Sequence, residues 1–271
     1  MSTTQLRGAS AASLDTVLAA VDASGDSGAE LGEQLFGVVA SLDSSPALRR
    51  VLTDPSTEDE AKRGLASSVF GKAVSAATLE VVRTAVGARW RVGRDLTDGL
   101  EVAGVVAILK GAAAAGQVDV LEDELFSVAN LVTSTPELRS ALSDTTVPGA
   151  GKSDLVGSIL DGKAQPATVA VVRQAARARS ASFERTLGAF ADLVAARRSR
   201  LLAEVRTAHE LGQTEHDRLA AALTARYGRD VHLNVVVDPS VIGGLAVSVS
   251  DDVIDGTMSS RLEAARRQLA G

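Results

Sequence analysis

The string with the sharpest chemical suggestion is Pro148-Gly149-Ala150-Gly151-Lys152-Ser153. Its Gly-Lys-Ser ending is that of a loop whose backbone N–H groups cradle phosphates. The motif also requires a glycine five residues before Gly151, where this chain has Thr146. It should follow a buried strand, yet Leu138 to Leu142 reads as helix, so nucleotide binding is not expected. The histidines are His209, His216 and His232, and there is no cysteine. With no carboxylate at ligand spacing beside a His pair, no metal site is expected. Asp251, Asp252 and Asp255 could suggest an acid pair or a cation site, but turn chemistry ahead of a helix accounts for them. No Ser-His-Asp or paired-carboxylate arrangement emerges. The expectation is a protein without catalytic site, cofactor or metal.

Arg173, Arg177, Arg179, Arg185, Arg197, Arg198 and Arg200 form a basic stretch. Phe183 and Phe190 are the only aromatics near it, so stacking on nucleic-acid bases is poorly served. Two readings stay open: a solvated helix face, or a docking face through which a helical adaptor would bind an acidic partner.

Bulk properties narrow the classes. The net charge is −6, which argues against a general nucleic-acid binder. The 45% apolar and 23% charged composition is that of a globular protein. Aromatics make up only 3%, so helices packed through Ala, Leu and Val are expected. The longest apolar run, Val102 to Leu109, stops at Lys110. That is far short of the roughly 20 residues that span a bilayer. Met1 to Gln5 lacks a basic region followed by an apolar core, so no signal peptide is expected.

The elements that carry these residues are mostly helices. Leu14, Val17, Leu18 and Val21 form a stripe at helical spacing, as do Leu31, Leu35, Val38 and Val39. Pro46 opens a short helix, Asp54-Pro55-Ser56-Thr57 is a stop and restart, and a long helix begins near Asp95. The pattern then returns. Leu31-Gly32-Glu33-Gln34-Leu35-Phe36 is echoed by Leu121-Glu122-Asp123-Glu124-Leu125-Phe126, and Pro46 by Pro136. Val81-Val82-Arg83 returns as Val171-Val172-Arg173. The offset is about 90 residues across separated blocks, which marks an internal duplication. After about residue 198 the period changes. Leu201 to Thr207 and Val231 to Val237 read as strands, with a helix from Thr214 to Tyr227 between them. Gly243 and Gly244 precede a third strand in which Leu245, Val247 and Val249 share a face. Asp255-Gly256 is a turn pair, and Thr257 caps a last helix. The expected fold is mainly α: two tandem helical bundles, 1–103 and 104–198, then a small α/β domain, 199–271.

The tail also carries a resemblance. Asp238-Pro239-Ser240-Val241-Ile242-Gly243-Gly244, then Asp255-Gly256-Thr257 and Arg261-Leu262, resemble the C-terminal segment of F-type ATP synthase delta subunits, the oligomycin-sensitivity-conferring protein family. Thr257 departs slightly, the family more often having Ser there. A bundle of about six helices followed by such a tail is that family's plan. The first copy plus the tail resembles an ordinary delta subunit. The second copy is an addition similar to the enlarged actinobacterial type.

The resemblance implies a structural subunit, not an enzyme. It would link the catalytic head to the peripheral stalk so that proton-driven rotation yields ATP. The implied partners are the N-terminal helices of alpha subunits at the first bundle and b-type stalk subunits at the tail. The implied place is peripheral, on the cytoplasmic face of the cell membrane, which it touches only through the complex. The expected contact residues are Leu14, Val17, Leu18, Val81 and Val82 in the bundle and Ile242, Gly243, Gly244, Asp255 and Gly256 in the tail.

Overall fold

The computed structural model describes residues 6–25, 28–177, 179, 181–198, 201–209, 211–227, 231–238, 241, 244–249 and 252–255. The chain is mainly helical, with one small sheet, and separates into two compact units, Met1–Ala195 and Ala196–Gly271.

The first unit begins with α1 (Ala9–Ala23), α2 (Ala29–Ser44), α3 (Pro46–Thr53), α4 (Asp59–Phe70), α5 (Ala76–Gly87) and α6 (Gly93–Ala114). It continues through α7 (Val118–Ser134), α8 (Pro136–Ser143), α9 (Gly149–Leu160), α10 (Pro166–Ala176) and α11 (Phe183–Arg198). Local chemistry sets the breaks. Ser45 accepts a hydrogen bond from the Leu48 N–H at 3.4 Å, and Pro46 occupies the first turn of α3. The Asp54 carboxylate then accepts from the backbone N–H of Ser56 at 2.8 Å, and Asp144 accepts from Thr146 at the same distance. Each is a turn in which a side chain stands in for the backbone acceptor and lets the chain restart as helix.

Two apolar cores lie in this unit. One gathers Val17, Leu31, Leu35, Leu52, Val82 and Leu100. The other gathers Leu121, Leu125, Val171, Val172, Leu187 and Phe190. They meet on α6, whose residues Leu96, Leu100, Val102, Ala103, Val105 and Ile108 are all buried. Residues 103 and 104 thus lie inside one continuous helix. Lys110 fastens its far end by donating to the carbonyls of Val21 at 3.0 Å and Asp22 at 2.9 Å, which satisfies acceptors left open where α1 ends.

The second unit holds β1 (Leu201–Thr207), α12 (Gln213–Tyr227), β2 (Val231–Val237), β3 (Leu245–Val249) and β4 (Asp252–Asp255). The strand order is β2-β1-β3-β4. β1 and β2 are parallel, as the α12 crossover requires, while β1 and β3 and then β3 and β4 are antiparallel. Val205, Leu223, Leu233 and Val247 form the core. Asp252–Asp255 is therefore a strand paired with β3, where the sequence suggested turn chemistry. Val253 and Ile254 pair with Ser248 and Val247, so pairing with an existing strand overrides the turn propensity of the aspartates. Thr214 lies inside the first turn of α12, and the capping acceptor is Glu215, which takes the Gly212 N–H at 3.0 Å. The helix expected after Thr257 lies outside the described residues.

Candidate interaction surfaces

One opening in the helical unit is a groove of ≈ 480 Å³ between α1 and α5, and another, of ≈ 690 Å³, lies against α9 and α10 and is lined by Asp154, Gly157, Pro166, Ala170 and Arg173 among others. Ala9, Ala12, Ser13 and Thr16 line the first from α1, and Thr84, Gly87 and Ala88 from α5 and its end. Its small side chains leave room for another helix to approach closely. Its end is pinned by Ser13, which donates to the Arg89 carbonyl at 2.6 Å, and by the Trp90 indole N–H, which donates to the Ala85 carbonyl at 2.7 Å. Arg83 stands at the rim, 3.7 Å from Glu80 and 3.9 Å from Glu60.

The contact residues expected from sequence fall around this groove in two ways. Val17, Val81 and Val82 are fully buried in the core beneath it. Leu14 and Leu18 are half-buried and pack against the same core. In the tail, Gly244 adopts φ +80°, a conformation that glycine takes without strain, directly before β3. Asp255 ends β4 opposite Ala246. Ile242, Gly243 and Gly256 lie outside the described residues.

A second feature was not anticipated. Arg179, between α10 and α11, lies 2.5 Å from Asp98, 3.0 Å from Glu101 and 3.0 Å from Asp43. Gln174 donates to Glu101 at 2.5 Å. The cluster joins α2 and α6 to α10 and the segment after it. Burial raises the carboxyls of Asp98 and Glu101 above their ordinary range, with the Arg179 charge acting against that rise. Burial also works against the Arg179 charge, but the surrounding carboxylates outweigh it and hold its pKa above the usual value. A signal for this cluster was present in the spacing of ninety residues seen in the sequence. Ninety residues beyond Asp43, Asp98 and Glu101 stand Thr133, Gly188 and Ala191, so the three acids have no counterparts.

The remaining motifs disperse. Gly149 begins α9, no strand precedes it, and Ser153 is fully buried, so its hydroxyl faces the core. The basic stretch is not a single face. Arg173 is on α10, 2.8 Å from Asp154, Arg179 is in the buried cluster, and Arg185 is exposed on α11. The chain passes from α10 to a loop to α11 over this stretch, so its charges point to different surroundings. Arg200 lies outside the described residues. His216 Nδ1 lies 3.5 Å from its neighbour Asp217. Among the described residues no helix is long and apolar enough to cross a membrane.

The described residues of this unit form a helical scaffold with an open groove and a buried charge cluster. Comparison with known proteins specifies the family. The family described as "ATP synthase delta (OSCP) subunit" matches residues 105–269. The ATP synthase subunit delta of Kineococcus radiotolerans is 45% identical over 93% of this chain and 91% of that protein. That of Streptomyces griseus is 42% identical over 98% of both. A chain in the cryo-EM structure of the Toxoplasma gondii mitochondrial ATP synthase hexamer is 20% identical, with a TM-score of 0.28, over 62% of this chain and 95% of that one. The chain belongs to the ATP synthase delta (OSCP) subunit family, whose members are structural and not catalytic. The family match joins the tail to the second run of helices. The first run, paired with the tail in the sequence comparison above, lies outside the matched residues.

Proposed function

We propose that this chain links the catalytic head of an F-type ATP synthase to its peripheral stalk, holding the head against the torque of the rotating shaft so that proton flow yields ATP. The observation that carries the reading is the open α1–α5 groove, lined by small residues of α1 and flanked by Arg63, Glu80, Arg83 and Arg89, on a chain of this family. An N-terminal helix of an alpha subunit would lie in it, contacting Ala12 and Thr16, while Val17, Val81 and Val82 support the groove from below and Leu14 and Leu18 pack on the other flank of α1. The tail, with Ile242, Gly243, Gly244, Asp255 and Gly256, would meet b-type stalk helices. The chain would then sit on the cytoplasmic face of the cell membrane, peripherally, through the complex alone.

The three-part division into 1–103, 104–198 and 199–271 belongs to the same proposal, with α6 shared by two bundles that arose by duplication. Helix lengths support it: α2 to α5 have 16, 8, 12 and 12 residues, and α7 to α10 have 17, 8, 12 and 11. So does a repeated loop brace. The Ser75 N–H donates to Gln34 Oε1 at 2.7 Å, and ninety residues on the Gln165 N–H donates to Glu124 Oε2 at 3.0 Å.

The test is recovery of partners from detergent-solubilised membranes of the source cell with the chain tagged at its C-terminus. Stoichiometric alpha, beta and b-type subunits are the expected result. Their absence would overturn the assignment, and Ala12→Arg should remove the alpha subunit before the b-type subunit.

A further inference from the structure

The α1–α5 groove has a counterpart ninety residues on. Ala12, Ser13 and Thr16 of α1 correspond to Val102, Ala103 and Val106 of α6, and Thr84 of α5 to Gln174 of α10. The two surfaces differ in what covers them. Ala12 and Thr16 are exposed, Thr84 is half-buried and Ser13 is buried. Val102, Ala103 and Val106 are 2%, 0% and 1% exposed, and Gln174 is 3%. The residue types follow suit: small and partly polar where the surface is open, aliphatic where it is closed.

The cover is the first bundle of the same chain. Val102, Ala103 and Val106 belong to its core. α2 lies along the next strip of α6, where a Cβ on Gly28 would stand 2.4 Å from the Ala107 carbonyl oxygen and one on Gly32 2.7 Å from that of Gly104. Phe36 of α2 is buried in the second core. Arg179 closes the edge by bridging Asp43 of α2 to Asp98 and Glu101 of α6. A helix from another subunit would have to displace this packing and leave Glu101 buried without its cation.

We infer that the groove of the second bundle is filled by the first bundle of the same chain, so that the protein takes up one partner helix, at α1–α5, and the second bundle is a spacer rather than a second receptor. This rests on the reading of the α1–α5 groove as a helix receptor and on the duplication.

The experiment is a calorimetric titration of the full chain with a synthetic peptide of the alpha subunit's N-terminal helix. One peptide per chain is expected, and Thr16→Arg, a change at an exposed position, should abolish all binding. Two peptides per chain, or a residual site in Thr16→Arg, would overturn the proposal while leaving the receptor reading intact. The chain has no cysteine, so thiol labelling reports each groove separately. Ala12→Cys should react readily and be protected roughly tenfold or more by the peptide. Val102→Cys, at the position matching Ala12, should react only on unfolding, with or without peptide. If Val102→Cys reacts about as fast as Ala12→Cys, the second groove is open and the proposal fails. Should no peptide bind to the wild-type chain, the receptor reading fails and this inference with it. The wild-type stoichiometry decides the matter even if a cysteine variant does not fold.

Discussion

The run from α2 to α5 and the run from α7 to α10 use helices of nearly equal length, yet the bundles they build with α6 and α11 are closed in different ways. In the first, glycine on both partners brings α2 and α6 to backbone contact. Gly28 at φ +69° and Gly32 face α6, and a Cβ on Gly104 would come within 2.4 Å of the Phe36 ring. The positions ninety residues beyond Gly28, Gly32 and Gly104 are Val118, Glu122 and Val194, whose side chains exclude such an approach. Phe36 is 7% exposed and its counterpart Phe126 is 67% exposed. Similar apolar spacing thus accompanies a buried ring on α2 and an exposed one on α7, so what each helix face meets is decided by its packing and not by its spacing alone.

The widest gap between the two halves should appear in a paired truncation. Phe36→Ala removes a buried ring and should cost about 3–5 kcal/mol in urea denaturation, whereas Phe126→Ala should change stability by less than about 0.5 kcal/mol. Equal costs would break the comparison.

Next in size is the charge cluster that only the junction has. Arg179→Gln leaves Glu101 buried without its cation and should cost about 3 kcal/mol at neutral pH. The sign of its pH dependence follows from the raised carboxyls of Asp98 and Glu101. A folded-state pKa above the unfolded one means that the native state holds its proton more tightly. Its contribution is full below the ordinary carboxylate pKa and is lost as pH rises through the folded value. Removing the cation raises both groups further. The deficit of Arg179→Gln should therefore shrink on acidification, and denaturation midpoints at mildly acidic and neutral pH will show whether it does.

A smaller effect is expected at the helix contact. Gly32→Ala should destabilise by about 1–3 kcal/mol, because the Gly104 carbonyl that its Cβ meets is backbone and cannot rotate away. Glu122→Ala, the change at the matching position, should stay within about 0.5 kcal/mol. The least difference should come from the two restart turns. Asp54 is lowered by hydrogen bonds from the Ser56 hydroxyl and N–H, and Asp144 by those of Thr146. Both should titrate below the ordinary aspartate range by NMR and to the same extent. Their stabilising effect is present above that range and lost as pH falls through the lowered values. A split between them would mean that the two turns are not equivalent.

Much of the scaffold was legible because its signals are local. Pro46 and Pro136, the Asp54 and Asp144 turns and the apolar stripes of α2 and α7 mark helix starts, stops and faces without reference to the rest of the chain. The Gly-Lys-Ser string lacks the earlier glycine and lies in α9, which follows α8 and a turn, and these too are local facts. The α1–α5 groove was harder to read. Apolar spacing selects residues that face inward, so Val17, Val81 and Val82 were picked out, while Ala9, Ala12 and Thr16, which line the groove, carry no hydrophobic signal. In the tail, aspartate propensity suggested a turn at residues 252–255, and β3 decided otherwise by offering an edge to pair with.

By itself the sequence determined that most of the chain is helical, where Pro46 and the Asp54 turn interrupt the helices, and the family to which the tail belongs, because capping, periodicity and turn chemistry act over a few residues. Only the tertiary structure decided that α6 serves two cores, that Arg179 finds its three carboxylates, and that Phe36 is covered while Phe126 is not. Those outcomes depend on groups up to 136 residues apart, as Asp43 and Arg179 are, and packing alone brings such groups together.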